Sequence, residues 1–170
     1  FAENIPPHIR QVKHLPEQPR SGQIVTITAK VTDPDGVASV LLLYQLVDPG
    51  NYIPITLPNL NTSTPTLPNS AYESAANWTT VAMHDDGLDG DESAGDGIYS
   101  VQLPAAIQTH RRLVRYRIKV TDSTGLNLRV PYADDPQPNF AYFIYDGVPA
   151  WSGAINPGGS APLNTVQNFN

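Results

Sequence analysis

Apolar and polar residues alternate along several segments of this chain, and no segment keeps the apolar spacing of an amphipathic helix. The clearest alternation covers residues 113–121, where four apolar side chains face one way and Arg115, Arg117 and Lys119 face the other. Such a period of two residues is typical of an antiparallel strand that lays one face on a core. Residues 37–47 are apolar on both faces, which predicts a central strand.

The other predicted strands are shorter and are separated by turn residues. Asp33-Pro34-Asp35-Gly36 predicts a tight turn, because proline fixes φ, aspartate accepts a hydrogen bond from its own backbone and glycine tolerates positive φ. Further strands are predicted at residues 24–32, 52–57, 78–83, 97–103, 126–132 and 140–145. Seven to eight short strands predict an all-β fold, an antiparallel β-sandwich, with a barrel as the alternative.

Two stretches of the chain lack apolar periodicity. Residues 48–76 are rich in Pro, Asn, Ser and Thr and are predicted as a long insertion loop, a feature that is uncommon in compact domains. Residues 148–170 are rich in Gly, Pro and Asn and are predicted as a linker or tail. The predicted sandwich domain therefore covers residues 1–147.

The composition argues against several classes of function. The chain has 170 residues, no cysteine, ten basic residues and a net charge of −6. The absence of cysteine excludes disulfides, cysteine-ligated metal sites and a thiol nucleophile. A nucleic-acid partner is not expected, since phosphate contacts depend on Lys and Arg, and no apolar stretch reaches the ~20 residues of a membrane-spanning helix. No nucleophile elbow, phosphate loop or dinucleotide fingerprint occurs, so an enzyme is not expected.

Acidic residues concentrate between the predicted strands 78–83 and 97–103. Six of the sixteen acidic side chains lie within residues 84–96, separated by glycines and with no Lys or Arg among them. Carboxylates this close repel one another, and Ca²⁺ would relieve the repulsion because it binds roughly six to eight oxygen ligands. We therefore predict a Ca²⁺ site in a hairpin loop, with ligands drawn from Asp85, Asp86, Asp89, Asp91 and Asp96.

Other interpretations of the acidic residues remain open at this point. The alternative is a solvated acidic hairpin loop without metal. Its twelve-residue spacing is similar to that of an EF-hand, but glycine at the third position, aspartate at the last and flanking strands argue against one. Asp33, Asp35 and Asp122 form a second possible cation site if their turns lie at one end of the sandwich, although ordinary Asx turns are the favoured interpretation.

Basic and aromatic residues suggest two further surfaces. Residues 110–119 contain half of the basic side chains, which predicts a solvated strand face, with binding of an acidic polymer as the alternative. Tyr52, Tyr72, Trp78 and Trp151 are candidates for stacking on sugar rings, although Trp78 also suits a core position. A carbohydrate-binding module accessory to a secreted enzyme is therefore the alternative function.

The turn and loop motifs resemble those of a known class of module. In chain order they are Pro6-Pro7, Val31-Thr32-Asp33-Pro34-Asp35-Gly36, Asp85-Asp86-Gly87, Gly90-Asp91, Ala94-Gly95-Asp96-Gly97-Ile98-Tyr99 and Val120-Thr121-Asp122-Ser123-Thr124-Gly125. Over residues 6–130 the chain resembles the immunoglobulin-like or fibronectin-type-III-like modules of large secreted bacterial proteins. These include modules beside lamin-tail and spore-coat (CotH-type) kinase-like regions and in choice-of-anchor surface proteins.

The resemblance implies a non-catalytic β-sandwich that serves as a spacer, stalk or adhesion element outside the cell or on its surface. The insertion at residues 48–76 and the tail after Asp146 depart from the pattern of these modules. The expected partners are neighbouring domains of the same polypeptide, with a polysaccharide or a cell-surface ligand as a further partner. We expect a monomer that binds neither nucleic acid nor the membrane interior.

Overall fold

The computed structural model describes residues 4–59, 66–152, 160–161 and 164, and its regular structure there is almost entirely β. The strands are β1 (His8–Leu15), β2 (Val25–Thr32), β3 (Val37–Val47), β4 (Thr56–Pro58), β5 (Thr66–Pro68), β6 (Thr79–Met83), β7 (Ile98–Leu103), β8 (Leu113–Asp122), β9 (Asn127–Val130), β10 (Phe140–Phe143), β11 (Trp151–Ser152) and β12 (Ser160–Ala161). Helix α1 (Ser70–Glu73) is a single turn, and 3₁₀ turns occupy Ala75–Asn77 and Ala105–Ile107. No helix of the described residues is long and apolar enough to cross a membrane.

The strands form two main antiparallel sheets. One sheet has the order β1-β2-β7, and the other has the order β10-β8-β3-β6, with β9 also paired to β8. The pairs β4-β5 and β11-β12 form two small ladders. The prediction that residues 37–47 form a central strand is confirmed, because β3 pairs with β8 on one side and with β6 on the other.

A single hydrophobic core lies between the two main sheets. Strand β2 contributes Ile27 from one side, and Leu42 and Ile118 contribute from the other, all of them fully buried. Removing each such side chain from water stabilises the fold by about 1.5–3 kcal/mol. The prediction of an all-β fold with antiparallel sheets is confirmed, and within the described residues the two sheets do not close into a barrel.

The first strand, β1, was not predicted from the pattern of apolar residues. Its pairing with β2 shifts register between Arg10 and Lys13, and Gln11 has a φ of 53°. This irregularity is a β-bulge, which inserts an extra residue into one strand of a pair. The bulge separates Ile9 from Val12 by three positions and so breaks the two-residue period on which the prediction depends.

The insertion at residues 48–76 is more ordered than predicted. In place of a strand at 52–57 it contains the β4-β5 ladder, in which Leu57 is paired with Leu67. The insertion continues into α1, which Asn69 caps by accepting a hydrogen bond from the backbone N–H of Ala71 at 3.1 Å. Asn69 also donates to the carbonyl of Pro54 at 2.7 Å, which joins the chain just before β4 to the chain just after β5.

The prediction that Arg115 and Arg117 face solvent is wrong. Both residues are 2% exposed, because the insertion covers the outer face of β8. The Arg117 guanidinium makes two hydrogen bonds of 2.8 Å with the carboxylate of Glu73 and lies 3.8 Å from the centre of the Trp78 ring. This arrangement combines an ion pair with a cation–π contact. Lys119, beyond the insertion, is exposed as predicted.

Arg115 is buried by the same covering layer. Its guanidinium donates to the carbonyl of Ile53 at 2.7 Å and to Oε1 of Gln45 at 3.0 Å. The ring of Tyr52 lies 4.7 Å from the guanidinium carbon. Around Arg115 and Arg117 the sheet β10-β8-β3-β6 is therefore covered on both faces, by the core on one side and by an aromatic and cationic layer on the other.

The residues predicted for sugar stacking do not form one exposed surface. Tyr72 and Trp78 are buried, and their rings meet edge to face with centres 5.7 Å apart. Tyr52 is exposed but has one face over Arg115. The side chain of Trp151 lies outside the described residues.

The predicted tail, residues 148–170, lies mostly outside the described residues. In the part that is described, β11 pairs with β12, and the backbone N–H of Val148 donates to Oδ1 of Asn164 at 3.0 Å. The boundary at residue 147 stays a prediction.

Candidate metal centre

The acidic loop, defined as residues 84–97, connects β6 to β7. The prediction that these strands form a hairpin is wrong, because β6 belongs to the sheet of β3 and β7 belongs to the sheet of β2. Only His84 and Ser100 pair across the base of the loop, through two backbone hydrogen bonds of 2.9 and 2.8 Å. The acidic loop therefore carries the chain from one sheet to the other.

Three carboxylates of the acidic loop converge. Each of Asp85, Asp91 and Asp96 offers one oxygen, and these oxygens lie within 4.8 Å of one another. Two ligands of one Ca²⁺ lie at most ~5 Å apart, since each Ca–O distance is about 2.3–2.6 Å. The three oxygens are therefore close enough to bind a single ion together. No other group of three or more Asp, Glu or His side chains in the described residues meets this distance.

Asp85 organises the second half of the acidic loop. Its Oδ1 accepts hydrogen bonds from the backbone N–H groups of Gly95 (2.7 Å) and Asp96 (3.2 Å), and its Oδ2 accepts one from Gly97 (2.9 Å). Because three successive amides donate to one carboxylate, the chain from residue 95 to residue 97 wraps around Asp85. This wrapping brings the side chain of Asp96 near that of Asp85.

Asp91 organises the first half. It is 7% exposed, and it accepts hydrogen bonds from the backbone N–H groups of Gly87 (2.6 Å) and Ser93 (3.3 Å). Asp96 accepts one from Ile98 at 2.8 Å. A carboxylate has about four lone-pair positions, so these amide contacts leave each of the three aspartates able to contact a cation.

Two of the five predicted ligands lie outside this group. Asp86 is exposed, and its carboxylate accepts a hydrogen bond from the backbone N–H of Leu88 at 3.0 Å. This contact closes an Asx turn. Asp89 is also exposed, and its carbonyl oxygen, rather than its carboxylate, contacts the hydroxyl of Ser100 at 3.4 Å. The structure thus gathers Asp85, Asp91 and Asp96 and leaves Asp86 and Asp89 apart.

A glycine lets the acidic loop pack against the sheet. Gly90 has a φ of 93°, and a Cβ atom at this position would lie 2.4 Å from Cγ2 of Thr26 in β2. Any residue other than glycine would therefore be strained in its backbone and would also clash with β2. The close approach places the centre of the acidic loop on the outer face of the β1-β2-β7 sheet.

The electrostatic environment of the loop is negative. Within the described residues no Lys, Arg or His forms an ion pair with a carboxylate of the acidic loop. Burial raises the pKa of the Tyr99 hydroxyl, and the nearby charge of Asp85 raises it further.

The second acidic group forms turns rather than a cluster. The two turns do lie side by side, since the backbone N–H of Ser123 donates to the carbonyl of Gly36 at 2.9 Å. Asp33 accepts from the backbone N–H of Asp35 at 2.7 Å. Burial opposes ionisation of Asp122, but hydrogen bonds from Asn4, Thr124 and Leu126 outweigh it and lower the pKa of this carboxyl. These contacts match the Asx-turn interpretation.

Comparisons with known proteins give no family for this chain. No protein-family model matches it, and a comparison with curated proteins finds no match.

Proposed function

We propose that this protein is a non-catalytic structural and adhesive module of a larger extracellular bacterial protein, in which one Ca²⁺ fixes the acidic loop. The observation that carries this proposal is the convergence of Asp85, Asp91 and Asp96 within 4.8 Å. Three carboxylates without a basic partner repel one another, and a hard divalent cation turns this repulsion into attraction.

The position of the three aspartates indicates what such an ion would do. Asp85 comes two residues after the last residue of β6, and Asp96 comes two residues before the first residue of β7. The two strands belong to different sheets. A cation held by both ends of the loop would therefore stiffen the crossing between the sheets and resist shear of one sheet against the other.

The fold and the type of site support an extracellular role. The proposal is supported by two antiparallel sheets, β1-β2-β7 and β10-β8-β3-β6, the second extended by β9, since immunoglobulin-like modules are built from two packed antiparallel sheets. Sites in extracellular modules bind Ca²⁺ with a Kd of about 10⁻⁴–10⁻³ M. Three aspartates on a short loop suit this weak range, and the ion would be bound where calcium is abundant.

Calorimetric titration and thermal melts with calcium test the proposal. An ion that binds only the folded protein at a hundredfold excess over its Kd stabilises it by about 2.7 kcal/mol. The melting temperature is therefore expected to rise by several degrees with calcium and to fall back with chelator. Asp91→Asn and Asp96→Asn are expected to abolish both the heat of binding and the calcium-dependent shift.

Asp89→Asn and Glu92→Gln are the matched controls, because each removes one charge from the same loop outside the group of three. They are expected to keep both calcium responses. Equal melting curves with calcium and chelator would contradict the proposal, and so would equal losses in the control variants. Magnesium at the same concentration is expected to shift the melt less, because Mg²⁺ gives up its water ligands reluctantly.

A further inference from the structure

A groove lies along one edge of the sandwich, where residues of β1 and residues of β10 line the same cavities. It consists of two cavities, of about 740 and 580 Å³, and Val12 and Phe140 line both. The first cavity also has apolar walls from Ile9, Val130 and Pro131. The second has the rings of Tyr116 and Tyr142 at its base. We call these two cavities together the edge groove.

Both strands that border the edge groove have a free edge. Within the described residues, β1 pairs only with β2, and β10 pairs only with β8. Every second residue of such an edge strand directs its N–H and C=O groups away from its neighbour. The edge groove therefore offers unpaired backbone groups beside apolar cavities, which is the combination used to bind an extended peptide as an added strand.

The bulge in β1 sets the register of the charged side chains along the groove. Arg10 lies opposite Lys30 and Lys13 lies opposite Thr28, so the two basic residues are two partner positions apart although they are three apart in sequence. Side chains two positions apart lie on the same face of a strand, about 6.6 Å from one another. Gln11, which forms the bulge with a φ of 53°, lines the larger cavity.

The charge along this edge differs from that of the whole molecule. The chain has a net charge of −6, yet β1 has no acidic residue and contains Arg10, Lys13 and two histidines. Arg10 and Lys13 are both exposed, and β10 is uncharged. Each cavity also has one acidic residue in its lining, Asp135 in the cavity of Arg10 and Glu17 in the cavity of Lys13.

We propose that the edge groove binds an extended peptide segment in which apolar and acidic residues alternate, and that this segment adds a strand to the free edge of β1. Acidic residues two positions apart would face Arg10 and Lys13. The apolar residues between them would point the other way, into the cavities lined by Val12 and Phe140. Alternation in the ligand follows from the two-residue period of a strand.

Selection from a random twelve-residue peptide library, displayed on phage and panned against the folded chain, tests this proposal. The expected result is enrichment of proline-free sequences that alternate apolar residues with Asp or Glu. Affinity for a synthetic copy of an enriched peptide is expected to fall at least tenfold for the double variant Arg10→Glu, Lys13→Glu. In an added strand only every second N–H group of the peptide faces β1. N-methylation of the peptide at these residues is expected to abolish binding, and N-methylation at the residues between them is expected to leave binding unchanged.

The double variant Arg20→Glu, Lys119→Glu is the matched control, because it changes the net charge equally at exposed positions outside the groove. Its affinity is expected to stay within twofold of the starting protein. Chemical-shift changes of backbone amides are expected along β1 and β10. Failure to enrich such peptides would overturn the proposal, as would equal binding by both double variants or shift changes confined to the acidic loop.

Discussion

This protein has two long connections, the insertion at residues 48–76 and the acidic loop at residues 84–97, and different kinds of contact stabilise them. The insertion has no charged residue between Asp48 and Glu73, and it covers two arginines that come from β8. The acidic loop contains six carboxylates and pairs with no basic side chain among the described residues. One connection is stabilised by the sheet beneath it, and the other by its own backbone amides.

The comparison shows that a charged side chain in or beneath a long connection need not be exposed to solvent. Arg117 is buried because Glu73 neutralises it and Trp78 covers it. Asp91 is buried because backbone amides donate to it. A buried charge is tolerated where it is paired or hydrogen-bonded. The charge beneath the insertion is paired with a carboxylate, whereas the buried charge of the acidic loop is hydrogen-bonded by backbone amides.

The largest effect is expected from breaking the layer beneath the insertion. Trp78→Ala removes the ring that covers Arg117 and is expected to lower the free energy of unfolding by about 3–5 kcal/mol. Urea unfolding measures this change. Tyr52→Ala is the control, because Tyr52 also contacts an arginine but is 62% exposed, and its expected cost is below about 1 kcal/mol. Similar costs for the two variants would show that burial of the ring is not what stabilises the layer.

A smaller effect is expected from lifting the acidic loop off the sheet. Gly90→Ala combines positive φ with a clash against Thr26 and is expected to cost about 1–3 kcal/mol. Gly95→Ala shares the positive φ but has no atom within 4 Å of the added Cβ, so its expected cost is about 1 kcal/mol. Thermal unfolding in chelator compares the two variants. A Gly90→Ala protein as stable as Gly95→Ala would contradict the packing of the loop on β2.

The smallest effect concerns repulsion within the acidic loop. In chelator, the double variant Asp89→Asn, Glu92→Gln is expected to gain about 0.5 kcal/mol, because it removes two like charges from an exposed surface. The gain is expected to vanish between about 0.01 and 1 M salt, as the Debye length falls from roughly 30 to 3 Å. The loss of unfolding free energy in Trp78→Ala, which breaks the layer beneath the insertion, is expected to show no such salt dependence. If the gain in stability persists in high salt, charge repulsion is not its cause.

Most of the strands could be predicted because their apolar period is local. The sequence predicts strands at residues 24–32, 37–47 and 113–121, and the structure confirms them as β2, β3 and β8. Strand β1 could not be read in this way, since its bulge interrupts the period between Ile9 and Val12. The burial of Arg115 and Arg117 could not be predicted from the sequence either, because the residues that cover them are separated from β8 by about forty positions or more.

The candidate site could be predicted in part. The composition of residues 84–96 pointed to a cation, but five aspartates qualified equally as ligands on sequence grounds. Which of them converge depends on the backbone path around Asp85, to which the amides of residues 95–97 all donate. Adjacent strands in the sequence also suggested a hairpin, whereas the loop is long enough to cross between sheets.

Local patterns in the sequence therefore predict the antiparallel strands, the position of the long connections and the concentration of acidic residues between β6 and β7. These features depend on periods and compositions within a few residues of each other. Three features become visible only in the folded chain: β6 and β7 lie in different sheets, Asp85, Asp91 and Asp96 converge, and β1 borders a groove. Each of these results depends on contacts between distant segments, and such contacts are set by how the sheets pack across the core.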